Sequence, residues 1–62
     1  MTGREFRDLR DELGYTQVAL AERMEVSTGT IGTIESRRDE EVKEVYALAL
    51  RGLAAIERGV EV

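Results

Sequence analysis

The chain has 62 residues, 42% hydrophobic and 35% charged, with nine basic against thirteen acidic side chains and a net charge of −4. That length allows one small domain, residues 1–62, with a core worth no more than ~3–5 kcal/mol, while the apolar content excludes a disordered tail. Cysteine and histidine are both absent, which removes disulfides, the catalytic thiolate, the commonest general base and the commonest zinc ligand.

Proline is absent too, and six glycines are the only breakers, so the chain is expected to be all-α. The first helix opens on Thr2-Gly3-Arg4-Glu5, a capping-box pattern. Phe6, Leu9 and Leu13 then share one face, and Gly14 is a natural stop. Thr16 can cap a second helix carrying Val18, Leu20, Ala21 and Met24, and the turn Met24-Glu25-Val26 leads to Ser27 as cap of a third. The third helix carries Ile31 and Ile34. Asp39, Glu40 and Glu41 suit the start of a fourth helix, predicted from about residue 40 to 58, where the dipole favours negative charge.

Two apolar faces are predicted on that last helix. At ~100° per residue, Val42, Val45, Tyr46, Ala49, Leu53, Ile56 and Val60 form a stripe for the core. Leu48, Gly52, Ala55 and Gly59 form a second face that a lone domain leaves uncovered. Small residues there suit close packing of two copies about a two-fold axis, so a homodimer through this helix is expected.

Residues 16–36 carry the most information. Ala21 is small enough to let the third helix cross closely over the second, Val26 seals the turn, and Ser27 lets the third helix begin abruptly and project its first turn outward. Gln17, Leu20, Ala21, Val26, Ser27, Ile31, Ile34 and Glu35, preceded by Leu13-Gly14-Tyr15-Thr16, make this segment resemble the Cro and phage-repressor type of helix-turn-helix proteins. The resemblance covers roughly residues 4–36. It implies a compact four-helix, or five-helix, repressor-like fold that binds duplex DNA. Carried over by position, it implies base-edge contacts from Thr28, Gly29 and Thr33 and phosphate contacts from Gln17 and Ser36. It also implies a partly buried ion pair between Arg10 and Glu35. Thr hydroxyls and methyls can meet several base edges but lack the bidentate readout of arginine on guanine, so modest specificity is expected.

The departures from that family are specific. Glu25 stands in the turn where glycine is common, and Arg37 stands where a glycine often follows the glutamate. Gly29 and Gly32 lie inside the third helix, either to let backbone approach DNA or as plain helix weakness. One long fourth helix replaces the usual fourth and fifth.

Charge distribution pulls both ways. Residues 1–38 carry six Arg against seven acids, and residues 39–62 three bases against six acids. Arg37 and Arg38 suit either the dipole of the third helix or DNA phosphates; Arg4 and Arg7 read mainly as solvated surface, with phosphate contact as the lesser alternative. Tyr15 and Tyr46 read as core aromatics with surface hydroxyls. No apolar run approaches the ~20 residues that span a bilayer, and the first residues lack a signal-peptide core, so a cytoplasmic protein without membrane, metal or cofactor is expected. The reading is a dimeric, repressor-like transcriptional regulator and not an enzyme. Its rival keeps the fold as a protein-interaction module, antitoxin-like or adaptor, with weak or no DNA binding.

Overall fold

The computed structural model describes residues 1–59; Val60, assigned above to the core stripe, lies outside the described residues. Four helices follow one another: α1 Gly3–Glu12, α2 Gln17–Met24, α3 Thr28–Ser36 and α4 Glu44–Glu57. Among the described residues there is no strand, and the fold is all-α.

Each of the first three helices starts where a side chain can satisfy its free amides. Thr2 accepts from the Glu5 amide at 3.3 Å while Glu5 Oε1 accepts from the Thr2 amide at 2.8 Å. The Thr2 amide, with the Thr2 hydroxyl beside it, holds the Glu5 carboxyl below its ordinary range. Thr16 accepts from the Ala19 amide at 3.0 Å, and Ser27 from the Thr30 amide at 3.1 Å. Gly14 ends α1 at a φ of +82°, which glycine adopts without a steric penalty. α4 is the exception, with Lys43 at its cap and no side-chain cap bond.

The core is thin. Phe6, Leu20, Ile31 and Leu50 are its large, fully buried side chains, one from each helix. Ala21 is buried between α2 and α3, and Ile34, Val26, Met24, Leu9 and Leu13 pack at the margin.

Residues 40–43 depart from the expectation of helix. Thr2 and Glu41 form an antiparallel bridge, Gly3 N donates to Glu40 O at 3.1 Å, Arg4 N to Arg38 O at 3.1 Å, and Val42 N to Met1 O at 2.8 Å. The backbone that would have begun α4 is paired with the first four residues, so α4 begins at Glu44. The three acids therefore do not cap it. Asp39 faces Arg4, Glu40 faces Arg37, and Glu41 meets the Met1 amine.

The face that α4 gives to the core also differs from the expected stripe. Ala47, Leu50 and Ala54 are buried, with Tyr46, Leu53 and Val42 packed beside them. Two alanines flanking Leu50 bring the helix backbone close to the core, which turns Val45 and Ile56 outward to 66% and 60% exposure.

Gly3 is held by packing and not by its φ angle: a Cβ there would collide with the carbonyl oxygens of Ile34 and Arg37. Gly32 is the opposite case, with nothing within 4 Å of an added Cβ. Gly3→Ala should therefore cost about 1–3 kcal/mol through overpacking against backbone. Gly32→Ala should gain up to ~1 kcal/mol of helix propensity, a rise in Tm of a few degrees to about 8 °C. Thermal unfolding followed by circular dichroism checks both; opposite signs are expected, and a Gly3→Ala variant as stable as the parent would contradict the close approach.

Candidate functional site

α3 is presented by the turn before it. Glu25 closes α2 in the left-handed region at φ 57°, ψ 42°, with its amide and that of Val26 returned to the carbonyls of Glu22 and Ala21 at 3.2 and 3.0 Å. A non-glycine residue pays roughly 1–2 kcal/mol for that conformation. The reversal lets Ser27 start α3 at once, its hydroxyl sharing a 2.8 Å hydrogen bond with that of Thr30.

Beneath α3 lies a buried ion pair. Arg10 Nε donates to Glu35 Oε2 at 2.6 Å and Nη2 to Oε1 at 2.9 Å, a bidentate pair, while Nη1 donates to the Tyr15 carbonyl at 2.7 Å. Both residues are 7% exposed. The Glu35 carboxylate holds the Arg10 guanidinium above its ordinary pKa, so its charge persists at every pH of interest. Gln17 Nε2 supplies a third donor to Glu35, at 3.1 Å to Oε1. Among the described residues no buried side-chain polar atom lacks a partner, as the cost of stranding one demands.

Anchoring Glu35 inward sets what α3 shows to solvent. Thr28, Gly29, Thr33 and Ser36 are exposed and Gly32 is half-buried. Ser36 Oγ donates to the Thr33 carbonyl at 2.8 Å, so its proton is already used inside the helix. The ridge is low and hydroxyl-bearing, with a concavity on either side.

On one flank a concavity of about 310 Å³ gathers Gln17, Ser36 and Arg38, with Arg7 and Gly32. On the other, a groove of about 590 Å³ runs past Gly29 and Thr33 to Arg37, Glu40 and Lys43. The sequence-predicted phosphate set is thus divided. Gln17, Ser36 and Arg38 come together, whereas Arg37 lies across the ridge with its Nε 3.7 Å from Glu40. Arg7, for which the sequence favours solvated surface over phosphate contact, lines this concavity one turn before the buried Arg10 on α1. Leu48, Gly52 and Ala55 lie on the outward side of α4, with Leu48 55% exposed.

A family model described as a helix-turn-helix domain matches residues 2–61. The chain belongs to the helix-turn-helix domain family. Cro and phage repressors, which the sequence resembles, are one type within the broader helix-turn-helix class, and the match does not specify that type. No curated protein and no solved structure matches the chain. The family suggests a DNA-binding regulator and is typically non-enzymatic. Among the described residues no cluster of three Asp or Glu could hold a metal ion. No helix among them is long and apolar enough to cross a membrane.

Breaking the Arg10–Glu35 pair tests how far this platform depends on it. Glu35→Ala leaves a buried guanidinium facing no carboxylate and should cost about 3–5 kcal/mol, whereas Arg10→Met combined with Glu35→Leu should be nearly neutral. Denaturant unfolding of the two variants checks this; equal midpoints for Glu35→Ala and the parent would contradict it. In a chain this small the single change should leave little folded protein at 37 °C.

Proposed function

We propose that the chain is a cytoplasmic, sequence-specific transcriptional regulator that binds duplex DNA as a homodimer and represses by occupying a promoter. The observation that carries this is the exposed ridge of α3, held by a buried ion pair and flanked by a concavity lined by three arginines. Thr28, Gly29 and Thr33 face base edges in the major groove. Gln17, Ser36, Arg37 and Arg38 meet phosphates, Ser36 after releasing the Thr33 carbonyl. No catalytic group, cofactor or metal takes part.

The net charge of −4, with Glu40 and Glu41 on the second groove, favours a different reading, a protein-interaction module with weak DNA affinity. Selection of binding sites from random duplex DNA at two salt concentrations separates them. A regulator should enrich a defined sequence, with log K falling by ~0.9 per phosphate met and about three or four phosphates per protomer. Gln17→Ala and Arg38→Ala should weaken all sequences alike, and Thr33→Ala should change the preferred bases. No enrichment at low salt would hand the chain to the interaction reading.

The dimer contact lies on the outward face of α4. Val45, Leu48, Ala49, Gly52, Ala55 and Ile56 fall within an arc of ~120°, and that arc holds no charged residue. Three large apolar side chains at 55–66% exposure are uncovered there. A protomer measuring 30 × 20 × 19 Å is of a size for two recognition helices to sit ~34 Å apart on successive major grooves. Sedimentation at tens of micromolar should give a dimer for the parent and a monomer for Leu48→Glu or Gly52→Arg. A monomeric parent would overturn this interface.

A further inference from the structure

The fold does not require either glycine of α3. Neither Gly29 nor Gly32 has a positive φ. An added Cβ at Gly32 would meet nothing within 4 Å, and at Gly29 only the Ser27 hydroxyl oxygen at 3.8 Å, an ordinary contact. Each nevertheless weakens a short helix relative to alanine. What the two glycines change is the outer surface. At ~100° per residue Thr28 and Thr33 stand ~140° apart around α3, with Gly32 and Gly29 between them at ~40° and ~100°. Along the axis the two threonines are ~7.5 Å apart, and both glycines lie between them. The result is a notch with threonine walls and a floor of bare backbone. Ser36 falls in the same arc beyond Thr33, with its proton held by the Thr33 carbonyl.

The chemistry of this face narrows what the notch can read. Among residues 28–36 the one charged side chain is Glu35, and it is buried. No Asn, Gln, Lys or Arg stands there to grip guanine or adenine by two bonds. A threonine hydroxyl rotates to donate or to accept, so by itself it does not tell one base edge from another. What remains to distinguish bases in the major groove is the 5-methyl group, which thymine carries and cytosine lacks. Carbon packs on carbon at ~3.5–4 Å, and the notch offers threonine methyls at its walls and glycine Cα atoms at its floor. From this surface, and resting on the DNA-binding reading, we infer that α3 selects its sequence by 5-methylpyrimidines, seated between Thr28 and Thr33 against the backbone of Gly29 and Gly32. Thymine and 5-methylcytosine both carry that group. A side-chain methyl at residue 32 would take its place.

Titration of the full chain with the duplex that selection enriches, and with base analogues of it, tests this. The specified positions should include thymine, and uracil in place of a seated thymine should weaken binding about fourfold, the worth of one buried methyl. A cytosine–guanine pair placed there should bind more tightly once the cytosine is 5-methylated; a gain admits both bases to the seat, and no gain restricts it to thymine. Thr33→Ser keeps the hydroxyl without the methyl and should lose the preference for thymine over uracil, whereas Thr33→Val keeps the methyl and should retain it. Gly32→Ala, with its higher Tm, should bind the parental duplex about tenfold more weakly, because its methyl overpacks the notch. Uracil and thymine duplexes bound alike, a selected site without thymine, or full affinity in Gly32→Ala would each overturn the methyl seat and leave the DNA reading standing. A parent that enriches no duplex sinks both.

Discussion

The bidentate contact between Arg10 and Glu35 ties α1 to α3, and Gln17 extends it to the start of α2. Its effect is directional. Glu35 and Thr33 stand two residues apart, ~200° around the helix, so fixing the one inward aims the other at solvent. Hydrophobic contacts from Ile31 alone hold α3 against the core but tolerate rotation about its axis. A planar guanidinium fork against a carboxylate does not. The orientation of the exposed ridge, and with it the division into two flanks, follows from that one contact.

α3 needs the help. It is nine residues long and contains two glycines, well below the length at which an isolated helix holds in water. Its stability is borrowed from both ends. At the start, the left-handed Glu25 and the Ser27 cap set the direction of entry. Beyond the end, residues 38–42 are paired with residues 1–4, and Gly3 lets the α1 backbone press against the carbonyls of Ile34 and Arg37. A strained turn and a close backbone approach thus hold the helix that carries the candidate interface.

What could be read from sequence divides along the same line. Caps at Thr2, Thr16 and Ser27 and the stop at Gly14 were legible because each is chemistry within one turn of chain. The start of α4 was not. Asp39-Glu40-Glu41 suits a helix N-terminus locally, and only pairing with residues some forty positions earlier overrides it. The inward face of α4 was illegible for another reason: between Val45 and Ile56 the only interruptions are Arg51 and Gly52, so several arcs are apolar and periodicity cannot choose among them. Packing chose the arc with Ala47 and Ala54, because the two alanines allow the closest approach. Arg7 could be placed only once α1 lay beside α3, since a helix face seen alone does not say what stands opposite.

Net charge is a poor guide to how such a surface meets a polyanion. At 0.1 M salt an exposed charge is felt over ~10 Å, about a third of the longest dimension of this molecule. Within that range of α3 the count depends on which carboxylates are already matched. Glu35 is neutralised by Arg10 inside the fold. Asp39 and Glu40 stand against Arg4 and Arg37 at 3.5 and 3.7 Å, in exposed pairs that contribute little energy but cancel charge where they stand. Among the described residues Arg38 has no such partner, and Arg7 shares Asp11 with Arg10, at 3.8 and 3.2 Å; both open on the same flank. The flank with Arg7, Arg10 and Arg38 against Glu35 therefore holds an excess of positive charge, while Arg37 and Lys43 balance Glu40 and Glu41 on the other, though the helix between them is uncharged on its outer face. A phosphate backbone bound as proposed would meet its excess of positive charge on the flank built by α1 and α2, and balanced charge along the 37–43 segment.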